Sequence, residues 1–167
     1  EGIILGKETA EGEAYVDFQN YIKTLSKLGI ILAVCSKNYE ENAIEPFSKH
    51  PDMIIKQDDI SYFCANFNDK AENITQIKNF LNISYDSIVF VDDSAVECEW
   101  VKNKLPDVTT INLKGDPSTF VTQVDRLGLF IKGNATNEDR NRIKAFKTNK
   151  KIEQAKKNQD ELQNFLK

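Results

Sequence analysis

Three polar clusters in this sequence carry residue types that could do chemistry together. Asp92 and Asp93 stand directly after the stretch Ser87–Val91, and Ser36-Lys37-Asn38 directly after Ile30–Cys35. Lys70 lies in the segment Asn68-Asp69-Lys70-Ala71. Adjacent carboxylates leaving a strand repel each other unless a cation or donors offset the charge. A hard divalent ion such as Mg2+, which takes oxygen ligands and retains several waters, suits such a pair. A serine hydroxyl, followed by the free N–H groups of a starting helix, can cradle phosphate oxygens. A lysine supplies a compact positive charge that neutralises phosphate or acyl phosphate. Together the clusters point to phosphoryl chemistry. Singly they have plainer readings: Ser36-Lys37-Asn38 as a helix N-cap, and Lys70 as a solvated first-turn lysine.

For these clusters to meet, they must sit at the ends of neighbouring elements, and the apolar spacing predicts that arrangement. Tyr15, Phe18, Tyr21, Ile22, Leu25 and Leu28 fall at helical spacing between Gly12 and Leu28, and Gly29 supplies a stop. Ile30–Cys35 is a continuous apolar run, as expected of a strand buried on both faces. Helices are predicted over Glu40–Ser48, Lys70–Leu81, Val96–Lys104 and Pro117–Leu127, with strands over Met53–Ile55, Ser87–Val91 and Val108–Leu113. This alternation argues for a Rossmann-like α/β fold, a doubly wound parallel sheet flanked by helices. In such sheets ligands bind beyond the carboxyl ends of the strands.

The core is expected over residues 1–133, with a helical extension over 134–167. Between Arg140 and Lys167 nine Lys or Arg face only Glu153, Asp160 and Glu161, which reads as a solvated helix or a basic docking surface for an acidic partner. Cys35 is expected to be an inert buried thiol, and Cys98 to lie on a helix. Trp100, with Val96 and Val101, is expected to cover the sheet. His50 reads as a turn or packing residue. Phe63 and Phe67 are expected to bracket Ala65-Asn66 in a loop near the site.

The composition bounds the alternatives. The 167 residues are 40% hydrophobic and 29% charged, with 7 Gly and 4 Pro, which excludes collagen-like, low-complexity and wholly disordered chains. A net charge of −4 gives no overall drive toward nucleic acid or anionic membrane. The longest apolar run, Ile30–Cys35, falls far short of the roughly 18–20 residues of a membrane span. The 3 cysteines form no CxxC pair, which argues against a zinc or disulfide framework and favours a reducing, cytoplasmic setting.

The clusters and their surroundings resemble the haloacid dehalogenase (HAD) superfamily, and closely its FkbH-like branch. The resemblance runs through Gly12-Glu13-Ala14-Tyr15, Leu32-Ala33-Val34-Cys35-Ser36-Lys37-Asn38, Asp58-Asp59-Ile60, Lys70-Ala71 with Asn73-Ile74, and Val89-Phe90-Val91-Asp92-Asp93, over roughly residues 1–140. It implies that Ser36 binds the phosphoryl group, with Lys37 and Asn38 beside it on the substrate. By the same resemblance Lys70 steadies the nucleophile and the intermediate's charge, and Asp92 and Asp93 hold Mg2+. Members of this branch resemble glyceryl transferases that load an acyl carrier protein, while others are phosphatase-like. The resemblance also implies no large cap domain.

One motif of the family is absent. No Asp-x-Asp-x-Thr nucleophile signature occurs in the sequence. The resemblance places it upstream of Glu1, on a strand lying between Ile30–Cys35 and Ser87–Val91. That strand is expected to come from preceding chain or from a partner, since the two apolar edges would otherwise stand unpaired. Asp17, Asp58 and Asp59 lie at no suitable strand end and are not expected to replace it. The alternative expectation is a non-catalytic interaction module.

Overall fold

A computed structural model describes Gly6, residues 8–130 and the isolated helical positions Asn141, Ala145 and Thr148. Apart from those three positions, the expected extension over 134–167 lies outside the described residues. In chain order the main elements are α1 (Ala10–Lys27), β1 (Leu32–Ser36), α2 (Glu40–Lys49), β2 (Ile60–Ala65), α3 (Lys70–Leu81), β3 (Val89–Asp92), α4 (Ala95–Lys104), β4 (Thr109–Asn112) and α5 (Phe120–Asp125). Among the described residues no helix is long and apolar enough to cross a membrane.

Local chemistry sets most boundaries. Thr9 starts α1 by accepting the Gly12 N–H at 3.0 Å. Position 12 itself must be glycine, because a Cβ there would lie 2.2 Å from the Gly6 carbonyl oxygen. Asp69 starts α3, its Oδ1 accepting from the N–H of Ala71 at 2.6 Å and of Glu72 at 3.4 Å. Asn82 ends the same helix in a left-handed conformation, φ 50°.

The strands pair in two parallel couples. β1 lies against β2, with Ser36 opposite Ala65, and β3 lies against β4, with Asp92 opposite Asn112. β1 and β3 are not hydrogen-bonded to each other. Successive side chains of β3 point to opposite faces. Phe90 joins Ile74 of α3 and Cys98 and Val101 of α4 in one core, whereas Val89 and Val91 join Ile111, Phe120, Val124 and the aromatic face of α1 in another. Tyr15 and Phe18 meet Phe120 edge-on, at centroid distances of 6.2 and 5.9 Å. A third core places Cys64 of β2 against Ile77 and Leu81 of α3. On the opposite face of β2, Phe63 meets Phe47 of α2 at 5.5 Å. Helices therefore cover both faces, as the alternating pattern predicts, and no cap domain interrupts the described residues.

Four expectations are corrected. Met53–Ile55 is not a strand. The N–H groups of Ile54 and Ile55 are taken by the buried Gln19 side chain, at 2.9 and 3.2 Å, so no ladder forms there. The strand of that region is β2, which carries Phe63 in a sheet instead of a loop. β1 is only partly buried, with Ala33 exposed, where burial on both faces was expected. Finally, Val101 faces the core, but Trp100 and Val96 do not cover the sheet: they are 45% and 79% exposed.

Candidate functional site

The carboxyl ends of β1 and β3 and the first turn of α3 converge. Lys70 is the first residue of α3, and the Asp69 cap fixes that turn. Its position directs the side chain inward: Lys70 is only 6% exposed, so the solvated first-turn reading fails. Its ammonium donates to the backbone carbonyl of Cys35 at 2.6 Å and to Asp92 Oδ2 at 3.1 Å. The same ammonium lies 5.8 Å from the Phe90 ring centroid. An ammonium has three donors, so one remains for a further acceptor.

Asp92 ends β3. Its Oδ1 accepts the Ser94 N–H at 2.8 Å while its Oδ2 takes Lys70. The backbone of the acid pair is pinned by Asn112, whose Nδ2 donates to the carbonyls of Asp92 and Asp93 at 3.2 and 3.1 Å. Ser94 caps α4 by accepting from Glu97 N–H at 3.3 Å. Asp93 is exposed, and its side chain makes no hydrogen bond or ion pair among the described residues. Its charge reaches Tyr15, whose phenol is raised above its ordinary value by burial first, then by Glu11 and Asp93.

Ser36 ends β1, next to the carbonyl that Lys70 engages. It does not serve as a helix cap: α2 begins after Tyr39, with no side-chain cap bond. Lys37 and Asn38 take a different course. Lys37 pairs with Glu97 at 2.5 Å on the surface, and that bond raises its pKa. Asn38 accepts the Tyr39 N–H at 2.8 Å. Of the six sequence-derived candidates, then, Ser36, Lys70 and Asp92 share one neighbourhood, Asp93 borders it, and Lys37 and Asn38 form its rim.

The donor set fits Mg2+. Asp92 retains lone pairs beyond its two bonds, and Asp93 offers a carboxylate engaged by no donor among the described residues. Two adjacent carboxylates leave places for water and substrate, which Mg2+ prefers to keep. No group of three or more His, Cys, Asp or Glu that could enclose a metal occurs among the described residues. Thiol chemistry is disfavoured. Burial pushes Cys35 up to about 11, against an opposing pull from Lys70, and burial also raises Cys64 and Cys98, so all three are thiols at neutral pH. His50 holds a turn, its Nδ1 accepting the Asp52 N–H at 3.2 Å.

Sequence reasoning missed several supporting residues. Asp69 carries an ordinary signal, an N-cap acid before a helix, and was passed over for its neighbour. Asn112 and Glu97 join segments far apart in sequence and leave no local trace, while the Asn66–Asn73 side-chain bond (2.8 Å) ties the end of β2 to α3.

No family model matches this chain. No curated protein matches it either. A solved structure does: the crystal structure of the N-terminal part of the protein BF1531 from Bacteroides fragilis, containing a phosphatase domain complexed with Mg, is 43% identical with a TM-score of 0.76. The fold is that of a HAD-like phosphatase domain. The match covers 81% of this chain but 36% of the neighbour, so the chain spans about a third of that structure's length. Within the HAD-like fold, β1, β3 and the start of α3 are the elements that bring Ser36, Asp92 and Lys70 together.

Proposed function

We propose that this chain forms the phosphate- and metal-binding part of a Mg2+-dependent, phosphatase-like site acting on a phosphorylated small molecule. The observation that carries the reading is Lys70: a nearly buried ammonium that bonds both Cys35, beside Ser36, and Asp92, with one donor to spare. In this reading the Ser36 hydroxyl and the spare Lys70 donor hold phosphoryl oxygens, and Asp92 with Asp93 holds Mg2+. The ion supplies charge neutralisation at the transferring phosphoryl group. The Ser94 N–H keeps the Asp92 carboxylate in place, Asn112 holds the backbone of the acid pair, and Asp69 caps the turn that carries Lys70. The likeness to a phosphatase domain complexed with Mg supports the same chemistry.

The nucleophilic carboxylate of this reading comes from outside the described residues, on a strand that pairs with the edges of β1 and β3. Those edges belong to separate sheets among the described residues. The more specific form of the proposal, suggested by the FkbH-like resemblance, is glyceryl transfer from an acyl phosphate to an acyl carrier protein thiol. The absence of a cap within residues 8–130 leaves the strand ends open to so large a partner. The second reading, a non-catalytic HAD-like module, draws on the lack of a third metal-ligating carboxylate among the described residues.

The test is phosphate release by the full-length protein from a panel of phosphate monoesters, with Mg2+ and with chelator. The enzymatic reading expects turnover that chelator abolishes and that Asp92→Asn lowers by at least about a hundredfold. Absence of turnover on every substrate, with no glyceryl adduct on a carrier protein by mass spectrometry, favours the module.

A further inference from the structure

Seven large hydrophobic residues are exposed among the described residues, Tyr39, Phe67, Val96 and Trp100 among them. Tyr39 follows Ser36-Lys37-Asn38, and its ring meets Phe67 edge-on at 4.9 Å. Phe67 stands two residues before the Asp69 cap of Lys70. Val96 and Trp100 lie one turn apart on α4, and both wall an open cleft of about 400 Å³ with Lys37, Glu97 and Asp69. The cleft thus begins one residue from Ser36 and one residue from Lys70.

The Trp100 ring is fixed despite its exposure. Its Nε1 donates to Asp69 Oδ2, and the Lys104 ammonium stands 5.0 Å from its ring centroid. A ring held at its edge and over its plane is a preorganised wall. The charges in the cleft are largely spent on one another: Lys37 is paired with Glu97, and Asp69 caps α3 and holds Trp100. Nothing in the lining is left to attract a second anion. The cleft's volume matches a small-molecule group.

We propose that this cleft is a leaving-group subsite, and that the preferred substrates are phosphate esters carrying a neutral, flat aromatic or heteroaromatic group. The phosphate sits at Ser36 and Lys70, and the ring lies against Trp100 and Val96, with Tyr39 and Phe67 at the mouth. This inference rests on the phosphoryl reading for the placement of the phosphate, but the cleft is testable without turnover.

The experiment uses the full-length protein with Mg2+ and two non-hydrolysable probes, naphthylmethylphosphonate and methylphosphonate, titrated calorimetrically. The aryl probe should bind at least tenfold tighter. Val96→Asp, which places a charge on a 79% exposed position and so spares the core, should cut that ratio to threefold or less, and Trp100→Ala should do the same. Equal affinities in the wild type, or a ratio that survives Val96→Asp, overturn the subsite. Phosphate release from naphthyl phosphate and glycerol phosphate separates the two claims. Turnover without aryl preference in binding sinks the subsite alone. Aryl preference in binding without Mg2+-dependent turnover sinks the phosphoryl reading and leaves the cleft as a ligand site.

Discussion

In the β3–β4 half of the molecule, α1, α4 and α5 close over both faces of the strands, burying Phe90, Val101, Ile111, Phe120 and Val124. In the β1–β2 half, α2 contributes no buried residue and β1 is at most partly covered. The closed half holds Asp92 and its bonded supports. The open half holds Ser36, Tyr39 and Phe67, and α4 of the closed half supplies Val96 and Trp100 to the same rim. Lys70 spans the two, bonding the carbonyl of Cys35, one residue before the end of β1, and Asp92, the last residue of β3. The difference is one of task. In the proposed function a metal-binding carboxylate takes the rigid mount, and substrate enters on the side whose surface is uncovered.

The sharpest way to break this comparison is to remove the link. Lys70→Ala should lower phosphate release by about 10²–10³-fold if Lys70 contacts the phosphoryl group. It should also destabilise the fold by about 3–5 kcal/mol, because Asp92 is left charged and nearly buried without its partner. Denaturant unfolding of the full-length protein checks the second figure. A stability unchanged within 0.5 kcal/mol (roughly the scatter of neutral surface changes) contradicts the bridging role.

The two halves can then be compared with matched truncations. Phe90→Ala in the closed half should cost about 3–5 kcal/mol. Phe63→Ala, on a strand whose outer face meets only α2, should cost less than half as much. Equal losses would show that the open half is packed as firmly as the closed one.

Cys35 reports on the seam between them. Burial lifts its thiol to about 11 from the ordinary 9.0. Between those values the unfolded chain gives up the proton that the folded chain keeps, so stability falls as pH rises from 9 to 11. Cys35→Ala should remove that part of the slope in pH-dependent unfolding. An unaltered slope would mean that the seam is wetter than its burial indicates. The smallest effect is expected at His50 in the open half. His50→Ala deletes one partly exposed turn bond to Asp52 and should cost no more than about 1 kcal/mol.

Much of this organisation was legible in the sequence, and for identifiable reasons. The bounds Lys70–Leu81 are legible because Ile74, Ile77, Phe80 and Leu81 keep helical spacing on one side. The convergence of Ser36 and Asp92 followed from the rule that strand ends gather on one edge. β2 was not legible, because Asp58-Asp59 before it and Asn66 after it obscured its apolar run. Met53–Ile55 looked like a strand because nothing local reveals that Gln19, in α1, occupies its amides. The rim was misread for a similar reason. Apolar residues on an α/β helix normally face the sheet, and only the bond from Trp100 to Asp69 turns the indole toward the cleft. At Met53–Ile55 and at the rim the deciding contact comes from a distant segment.

The central claim is that Ser36, Lys70 and Asp92 serve one phosphate and its metal. The most direct measurement is a crystal structure of the full-length protein with Mn2+ in place of Mg2+ and a bound phosphate analogue such as tungstate. The predicted result is an anomalous manganese peak on the Asp92 carboxylate, with the anion's oxygens on both Ser36 Oγ and Lys70 Nζ. Metal bound away from Asp92, or an anion that touches neither side chain, would contradict the account.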